Sequence, residues 1–450
     1  MLSVFFSVTF CSTFEDETSP APSQMRHQLA AVQMTPGQFT SAEQAQIHPE
    51  MFYSVFGKET VTSWQLNWDV LQDQTRDFDH PQKRALLKSL DDKLTKFSGN
   101  RTMDFLVLYG KIAMNRRQIE LVHKERLELL THQYFSKLPH VTEVTLHEKE
   151  DGVQLGFQAI VTIAGKQYTY HVKTHAEGKL ASKSTAAKVV NTAELLVYKL
   201  LEFLKVGPEA HFFQRSPEDT YIATLNAGVD SQNHVQYEFL TFDTWKKRAD
   251  LLPKLMGCFA PLKFLDLQGA EQTIESQVQT DAVAQSFMRN VMRLDLLSRV
   301  LRLGDTTTNP SNFGFANCER GVSDLRLIDF RVPNKTERLT VTDDNFGGFL
   351  EGNGEFNYNG EHPGVKYALH NRAPHLRMYS ALAIMNEDLA RFLDHMGAAH
   401  RFVTRYIREN REFQDKADEL IVELDRYKDA IADNFQFFKR KLEQTVDTVQ

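Results

Sequence analysis

The chain has 450 residues and a formal net charge of −7, and its length predicts about two or three domains. Hydrophobic residues make up 42% and charged residues 25%, as is ordinary for a globular protein. The negative net charge argues against a nucleic-acid-binding protein, because such proteins present a basic surface. Cys11, Cys258 and Cys318 are widely spaced, so neither a disulfide framework nor a zinc site is predicted, and a reducing, cytoplasmic compartment is expected.

Residues 1–55 are predicted to form a disordered tail, because this end is rich in Ser, Thr, Pro and Gln and lacks regular apolar spacing. The apolar start "MLSVFFSVTFCST" offers a weaker alternative, a secretory signal, but no basic region precedes its apolar run. No stretch of about 18 apolar residues occurs, so no transmembrane segment is expected.

The next two regions differ in their periodicity. Residues 56–139 are predicted to be a helical extension, because "KRALLKSLDDKLTKF" and "RRQIELVHKERLELLTHQYFSKL" repeat apolar residues every three or four positions. Residues 140–225 are predicted to be a β-rich lobe. Glycine-marked turns separate alternating strands from 142 to 175, a helix covers 184–205, and "EAHFF" and "TYIATL" are two further strands.

Residues 226–400 are predicted to form a helical lobe with an embedded hairpin. A helix over 281–303 runs into the polar loop of "LRLGDTTTNPSNFGF", and "NFGFA" and "LRLIDF" predict the two hairpin strands. The end of the chain, 401–450, is predicted to be an amphipathic helix with an apolar seam at nearly heptad spacing. This seam packs on its own domain in one interpretation and forms a coiled-coil face for a partner in the other; it comprises Leu420, Leu424, Tyr427, Ile431, Phe435, Phe438 and Leu442.

Five polar residues on these elements match the inventory that phosphoryl transfer needs. Such a site uses a lysine on the α- and β-phosphates, a helical glutamate that orients it, and an acidic loop residue that positions the acceptor hydroxyl. Asparagine and aspartate oxygens then hold Mg²⁺, which prefers hard oxygen ligands. The candidates follow this order along the chain: Lys173, Glu194, Asp305, Asn312 and Asp329.

The stretches "HVK", "NTAELLVYKLLEFLKVGPEAHFF", "D…NFGF" and "IDF" within 142–332 resemble the protein-kinase-like superfamily, in particular phosphatidylinositol kinases, actin-fragmin kinase and HipA-type kinases. The resemblance implies an α+β, bilobal kinase-like fold, with a small antiparallel β lobe, a larger helical lobe and helical extensions at both ends. It implies ATP and Mg²⁺ as cofactors. The implied roles are nucleotide binding for Lys173, Glu194 and Gly156, catalysis for Asp305, and metal binding for Asn312 and Asp329. Gly156 lies in "LGFQAIV", which would replace the phosphate-covering turn.

The sequence departs from the family pattern in the polar loop. Residues 306–311 lie between Asp305 and Asn312, two residues more than in the Asp-x-x-x-x-Asn pattern, and threonines replace the usual basic residue. Arg331 follows "IDF" and is a candidate to neutralise Asp329.

Three functions therefore stay open. The first is a phosphotransferase, with a protein Ser/Thr acceptor preferred over a lipid because no basic, membrane-facing cluster stands out. The second is a pseudokinase that acts as an interaction scaffold through its helical extensions, including 401–450. The third is a helical scaffold in which the five residues never meet. A structure that places Lys173 and Asp329 far apart, beyond shared contact with one triphosphate, would establish the third function.

Overall fold

The structure is a computed structural model. It divides the chain into two compact units, Met1–Ile119 with Ser182–Thr185, and Glu120–Ala181 with Ala186–Gln450. The division falls inside a helix rather than at the predicted boundary near residue 139. The structure describes residues 47–72, 80–148, 156–174, 190–216, 219–230, 235–241, 282–304, 306, 309–316, 324–332, 339–350 and 374–449.

The first unit is helical where it is described. Its helices are α1 (Pro49–Phe56), α2 (Lys58–Ser63), α3 (Asp69–Gln72), α4 (Pro81–Thr95) and the first part of α5 (Met103–Phe135). The predicted disordered tail is thus too long at its C-terminal end, because Pro49–Phe56 is a helix; residues 1–46 lie outside the described part of the chain.

An aromatic cluster explains why this short helix is ordered. The side chain of Phe52 is fully buried, and its ring centroid lies 5.1 Å from that of Trp68 and 6.2 Å from those of Phe56 and Trp64. Burial of a large aromatic side chain and its ring contacts contributes a few kcal/mol, enough to order one helical segment against the next.

The second unit is built around a five-stranded sheet with the order β1-β2-β3-β5-β4, in which every neighbouring pair is antiparallel. The predicted class, α+β with an antiparallel sheet, is therefore confirmed. The strands are β1 (Val141–Glu148), β2 (Gly156–Ile163), β3 (Lys166–Thr174), β4 (Ala210–Ser216) and β5 (Asp219–Leu225).

Alternating side chains give this sheet two buried faces. On one face Tyr170 and Val172 pack with Leu127 and Phe135 from the C-terminal part of α5. On the other face Phe212 and Ile222 join the core formed with helix α6 (Thr192–Phe203). Lys173 is directly paired with Ile222, and because paired residues of adjacent strands share a face, Lys173 lies on the α6 face.

Helix α6 is apolar around most of its circumference and is buried between the sheet and further helices. Asn191 caps its N-terminus by accepting a hydrogen bond from the amide of Ala193, at 3.1 Å. The predicted helix began at residue 184, but 181–189 lie outside the described residues. Contacts of α6 with the rest of the unit therefore fix the orientation of every side chain it carries.

The remaining described elements are mainly helical. Strands β6 (Val229–Asp230) and β7 (Val235–Gln236) pair with each other, and β8 (Phe239–Thr241), β9 (Phe313–Ala316) and β10 (Asp324–Leu327) form a three-stranded sheet. β9 and β10 are the predicted hairpin strands. The helices are α7 (Ala282–Val300), α8 (Asp343–Leu350), α9 (Pro374–Asn386), α10 (Phe392–Glu409) and α11 (Ala417–Val449). No helix in the described ranges is long and apolar enough to cross a membrane.

The heptad-like seam of α11 faces the core of this same unit. All seven of its residues are buried, so the seam packs on its own domain, as the first of the two interpretations had it. Asn434 reinforces the contact, because its side-chain nitrogen donates to the carbonyls of Val300 (3.0 Å) and Leu339 (2.7 Å) and its oxygen accepts from the amide of Val341 (2.9 Å).

Candidate functional site

The centre of the candidate site is an ion pair between two strand ends. Nζ of Lys173, next to the last residue of β3, lies 2.6 Å from Oδ1 of Asp329, which follows β10. The two residues are 156 positions apart in the sequence. The Lys173 side chain is 17% exposed, whereas the Asp329 side chain is 55% exposed, so the lysine is enclosed and the carboxylate is open to solvent.

Helix α6 supplies the surroundings of this lysine. Nζ of Lys173 lies 5.3 Å from the centroid of the Tyr198 ring, within cation–π distance. Burial lowers the pKa of Lys173, but its neighbours Tyr198, Asp329 and Glu194 together raise this pKa above its ordinary value. Burial also raises the pKa of the Tyr198 phenol. At neutral pH the site therefore holds a charged lysine between carboxylates and a neutral ring.

Asn312 is joined to Asp329 through the backbone. It ends a short 3₁₀ helix, Pro310–Asn312, and its carbonyl accepts hydrogen bonds from the amides of Ile328 (2.9 Å) and Asp329 (3.4 Å). The side chain of Asn309 starts this helix by accepting from the amide of Ser311, at 3.2 Å. The predicted metal-binding pair is thus brought together by hydrogen bonds between the hairpin and the end of the polar loop.

The beginning of the polar loop is attached to the same segment. Gly304 and Arg331 form an isolated antiparallel bridge, in which each amide donates to the carbonyl of the other, at 2.8 and 2.9 Å. Thr306 is fully buried. Asp305, the predicted catalytic residue, lies outside the described residues, so the structure gives its flanks and not its position.

Two predicted roles change. Gly156 does not lie in a phosphate-covering turn: it begins strand β2 and pairs with Lys173. A Cβ atom at Gly156 would lie 2.3 Å from the carbonyl oxygen of Val172, so glycine there permits close packing of two strands. The turn at 149–155 lies outside the described residues. The sequence suggested that Arg331 neutralises Asp329. In the structure, the positive charge beside Asp329 is that of Lys173.

Sequence reasoning missed two side chains that hold the site in place. The ring of Tyr198 packs on Phe330, the neighbour of Asp329, with a centroid distance of 4.4 Å. The amide of Asn191 donates to the carbonyl of Val332, at 3.4 Å, and so links the start of α6 to the chain beyond Asp329. The spacing was a usable signal, because Tyr198 follows Glu194 by four positions and so shares its side of the helix.

The carboxylate of Asp329 is open to solvent and is of the oxygen type that Mg²⁺ prefers beside water and phosphate. Asn312 is 6% exposed and adjoins Asp329 through its backbone carbonyl. Within the described ranges, no group of three or more His, Cys, Asp and Glu is arranged to hold a metal ion.

No protein-family model, curated protein or solved structure matches the chain.

Four of the five candidate residues belong to one region of the second unit. Lys173 and Asp329 are in direct contact, the backbone of Asn312 adjoins Asp329, and the charge of Glu194 acts on Lys173. The wide separation of Lys173 and Asp329 that would establish the helical scaffold is therefore not observed.

Proposed function

We propose that this protein is an ATP- and Mg²⁺-dependent phosphotransferase with a bilobal kinase-like fold. The observation that carries the proposal is the contact of 2.6 Å between Lys173 and Asp329, with Asn312 bonded to the backbone of Asp329. A cation that would bind phosphates and a carboxylate that would hold the metal are therefore in contact, and the backbone of Asn312 lies beside that carboxylate's residue. The strand–helix–loop–strand order of the four placed residues, Lys173, Glu194, Asn312 and Asp329, supports the same proposal.

Each residue then has a distinct task. Lys173 binds oxygens of the α- and β-phosphates, and Glu194 on α6 favours its charged state and keeps it oriented. Asn312 and Asp329 hold Mg²⁺, which neutralises charge on the transferred phosphoryl group when it is bound. Asp305 accepts the proton of the acceptor hydroxyl or positions that hydroxyl. Nucleotide binding requires Lys173 to exchange the Asp329 carboxylate for phosphate oxygens.

A protein Ser/Thr hydroxyl is the proposed acceptor, in preference to a lipid headgroup. A negative net charge of −7 disfavours approach to an anionic membrane surface. A peptide hydroxyl needs no such surface.

The alternative is a pseudokinase that acts as an interaction scaffold. The observation that favours it is the same ion pair, because Lys173 and Asp329 occupy one another. The two additional residues between Asp305 and Asn312 favour it too. In this case the fold is retained and the helical extensions serve as the interaction surfaces.

Thermal unfolding with ATP, with and without Mg²⁺, tests nucleotide binding. A ligand that binds only the native state adds RT ln(1 + [L]/Kd) to its stability. We expect millimolar Mg-ATP to raise Tm, and Lys173→Ala and Asp329→Ala to abolish this rise. Lys166→Ala is the matched control, since Lys166 is an exposed lysine at the other end of β3. Absence of any rise in the unmodified protein would rule out the phosphotransferase and would leave the pseudokinase.

Radiolabel transfer from ATP to a mixture of Ser/Thr peptides tests the chemistry. We expect Asp305→Asn to lower kcat by about 10²–10⁴-fold, the usual contribution of a general base, and to leave Mg-ATP binding unchanged. Asp324→Asn, a charge-matched change at a partly exposed residue on β10, is the control. Mg-ATP binding without transfer to any acceptor would select the pseudokinase.

A further inference from the structure

Helix α10 carries a row of arginines on its outer side. Arg401, Arg405 and Arg408 are exposed and follow one another at spacings of four and three residues, so they lie on one side of the helix. Within the described part of the chain, no hydrogen bond or ion pair engages these three guanidinium groups. We call them the arginine row.

The arginine row faces away from the core of the second unit. The opposite side of α10 buries Met396, Val403 and Ile407, so the helix cannot turn to bring the arginines onto its own domain. Like charges one helical turn apart destabilise a helix. The chain has a net charge of −7, so the arginine row is a locally basic surface on an acidic protein.

An apolar side chain borders the row. Phe402 is 40% exposed, and its ring centroid lies 4.5 Å from Nζ of Lys199 on α6 and 6.3 Å from the ring of Phe212. The exposed ring is thus held in place from beneath. A ligand that contacts the arginine row can therefore also pack on the exposed ring of Phe402.

Acidic residues limit the extent of this basic surface. Asp394 lies in the first turn of α10, and the exposed residues Glu409 and Glu412 lie at its other end. The arginine row itself is about 10 Å long, at 1.5 Å per helical residue. A flat anionic membrane or a nucleic-acid duplex would also meet these acids, whereas a short acidic peptide would fit between them.

We propose that the arginine row and Phe402 form a docking surface for an acidic segment of a partner protein. Carboxylates of that segment contact Arg401, Arg405 and Arg408, and one apolar side chain packs on Phe402. The proposal is independent of the nucleotide site. Phe402 in turn contacts Lys199 of α6, the helix that carries Glu194.

Fluorescence anisotropy with the full chain tests the surface. The probe is a fluorescein-labelled twelve-residue peptide of glutamates with one central leucine, and the control probe replaces each glutamate by glutamine. We expect the acidic probe alone to bind, and its binding to weaken several-fold when salt is raised from 0.05 to about 0.5 M, because salt screens exposed charges.

Charge reversal locates the binding. The variant R401E/R405E/R408E is expected to bind the acidic probe at least tenfold more weakly than the unmodified protein. The control K137E/K166E/R440E changes the net charge equally at three other exposed positions and is expected to bind within about twofold of it. Equal Tm values for both variants show that the fold is intact. Phe402→Ala is expected to weaken the leucine probe and not a probe in which alanine replaces that leucine.

Five outcomes would overturn the proposal. The acidic probe fails to bind, the two charge-reversal variants weaken it equally, or the glutamine probe binds as well as the glutamate probe. In the fourth, vesicles with anionic lipid bind more tightly than the probe and with the same dependence on the arginine row, which would assign the surface to a membrane. Light scattering that finds a dimer lost only in R401E/R405E/R408E would assign it to a second copy of the chain, and would overturn the proposal as well.

Discussion

The two faces of the five-stranded sheet both carry polar groups, but they are organised differently. On the α5 face, Nε2 of His211 lies 2.7 Å from Oε1 of Glu209, and Nδ1 of the same ring lies 2.9 Å from the hydroxyl of Tyr134. On the α6 face, Lys173 contacts Asp329 from a distant part of the chain, and the carboxylate stays open. One arrangement is a closed hydrogen-bonded chain, and the other leaves a charge available to a ligand.

The residues around the two polar clusters differ as well. The ring of His211 is surrounded by aromatic rings, with centroids of Tyr134, Phe135 and Tyr170 at 5.4 to 5.8 Å. These rings join α5 to β3 and β4, so the cluster holds secondary structure together. The Lys173–Asp329 contact instead joins the end of β3 to the residues after β10. Both clusters are internally paired, and they differ in exposure: the Asp329 side chain is 55% exposed, whereas those of His211 and Glu209 are 17% and 29% exposed.

Removing the central ring of the α5 face should give the largest of the effects that follow. His211→Ala removes one hydrogen-bond partner from Glu209 and one from Tyr134, and an unsatisfied, partly buried group costs about 1–3 kcal/mol. Urea unfolding should show this loss, while the Kd for Mg-ATP stays unchanged. A change in Kd without a change in unfolding free energy would reverse the roles assigned to the two faces.

The pH dependence of stability tests the structural role of Glu209 on the α5 face. The hydrogen bond from His211 lowers the pKa of Glu209 below its ordinary value of 4.5, in spite of burial, which raises it. A carboxyl whose pKa is lower in the folded state stabilises the fold above its unfolded pKa, and this contribution is lost as pH falls through the folded pKa. Glu209→Gln should therefore destabilise the protein at pH 7, and the difference from the unmodified protein should shrink below pH 4.5. A difference that is constant from pH 7 to pH 3 would contradict this.

The smallest effect is expected on the α6 face, at Tyr198. Tyr198→Phe keeps a ring over Lys173 and should bind Mg-ATP within about twofold of the unmodified protein. Tyr198→Leu removes the ring, and the loss of a cation–π contact of about 0.5–1 kcal/mol should weaken binding two- to five-fold. Isothermal titration of the two variants makes the comparison. Equal weakening would mean that the ring face does not position the lysine.

Local patterns were sufficient to predict the hairpin of β9 and β10 and the alternation that assigns Lys173 to one face of β3. Alternation and turn residues act over a few positions, so a single sequence contains them. The helix Pro49–Phe56 escaped prediction because the average composition of residues 1–55 concealed one residue, Phe52, that is completely buried. Its stability comes from Trp64 and Trp68, which follow it in the chain.

The candidate site was predictable in its residue types and not in its contacts. The contact of Lys173 with Asp329 spans 156 positions, and no local rule fixes which carboxylate a lysine selects. Gly156 was assigned to a phosphate-covering segment because "LGFQAIV" takes the place of that turn in the resemblance to the kinase-like superfamily. The reason for glycine at this position is instead the proximity of the Val172 carbonyl, which depends on strand pairing.

The bridge between Gly304 and Arg331 bears on the additional residues of the polar loop. Gly304 and Asn312 are both hydrogen-bonded to Ile328–Arg331, so the loop begins and ends on one fixed segment. The entropy of closing a loop grows only with the logarithm of its length, so two further residues between Asp305 and Asn312 cost roughly 0.4 kcal/mol. The polar loop can thus vary in length while its two anchors, and the carboxylate beside them, stay where they are.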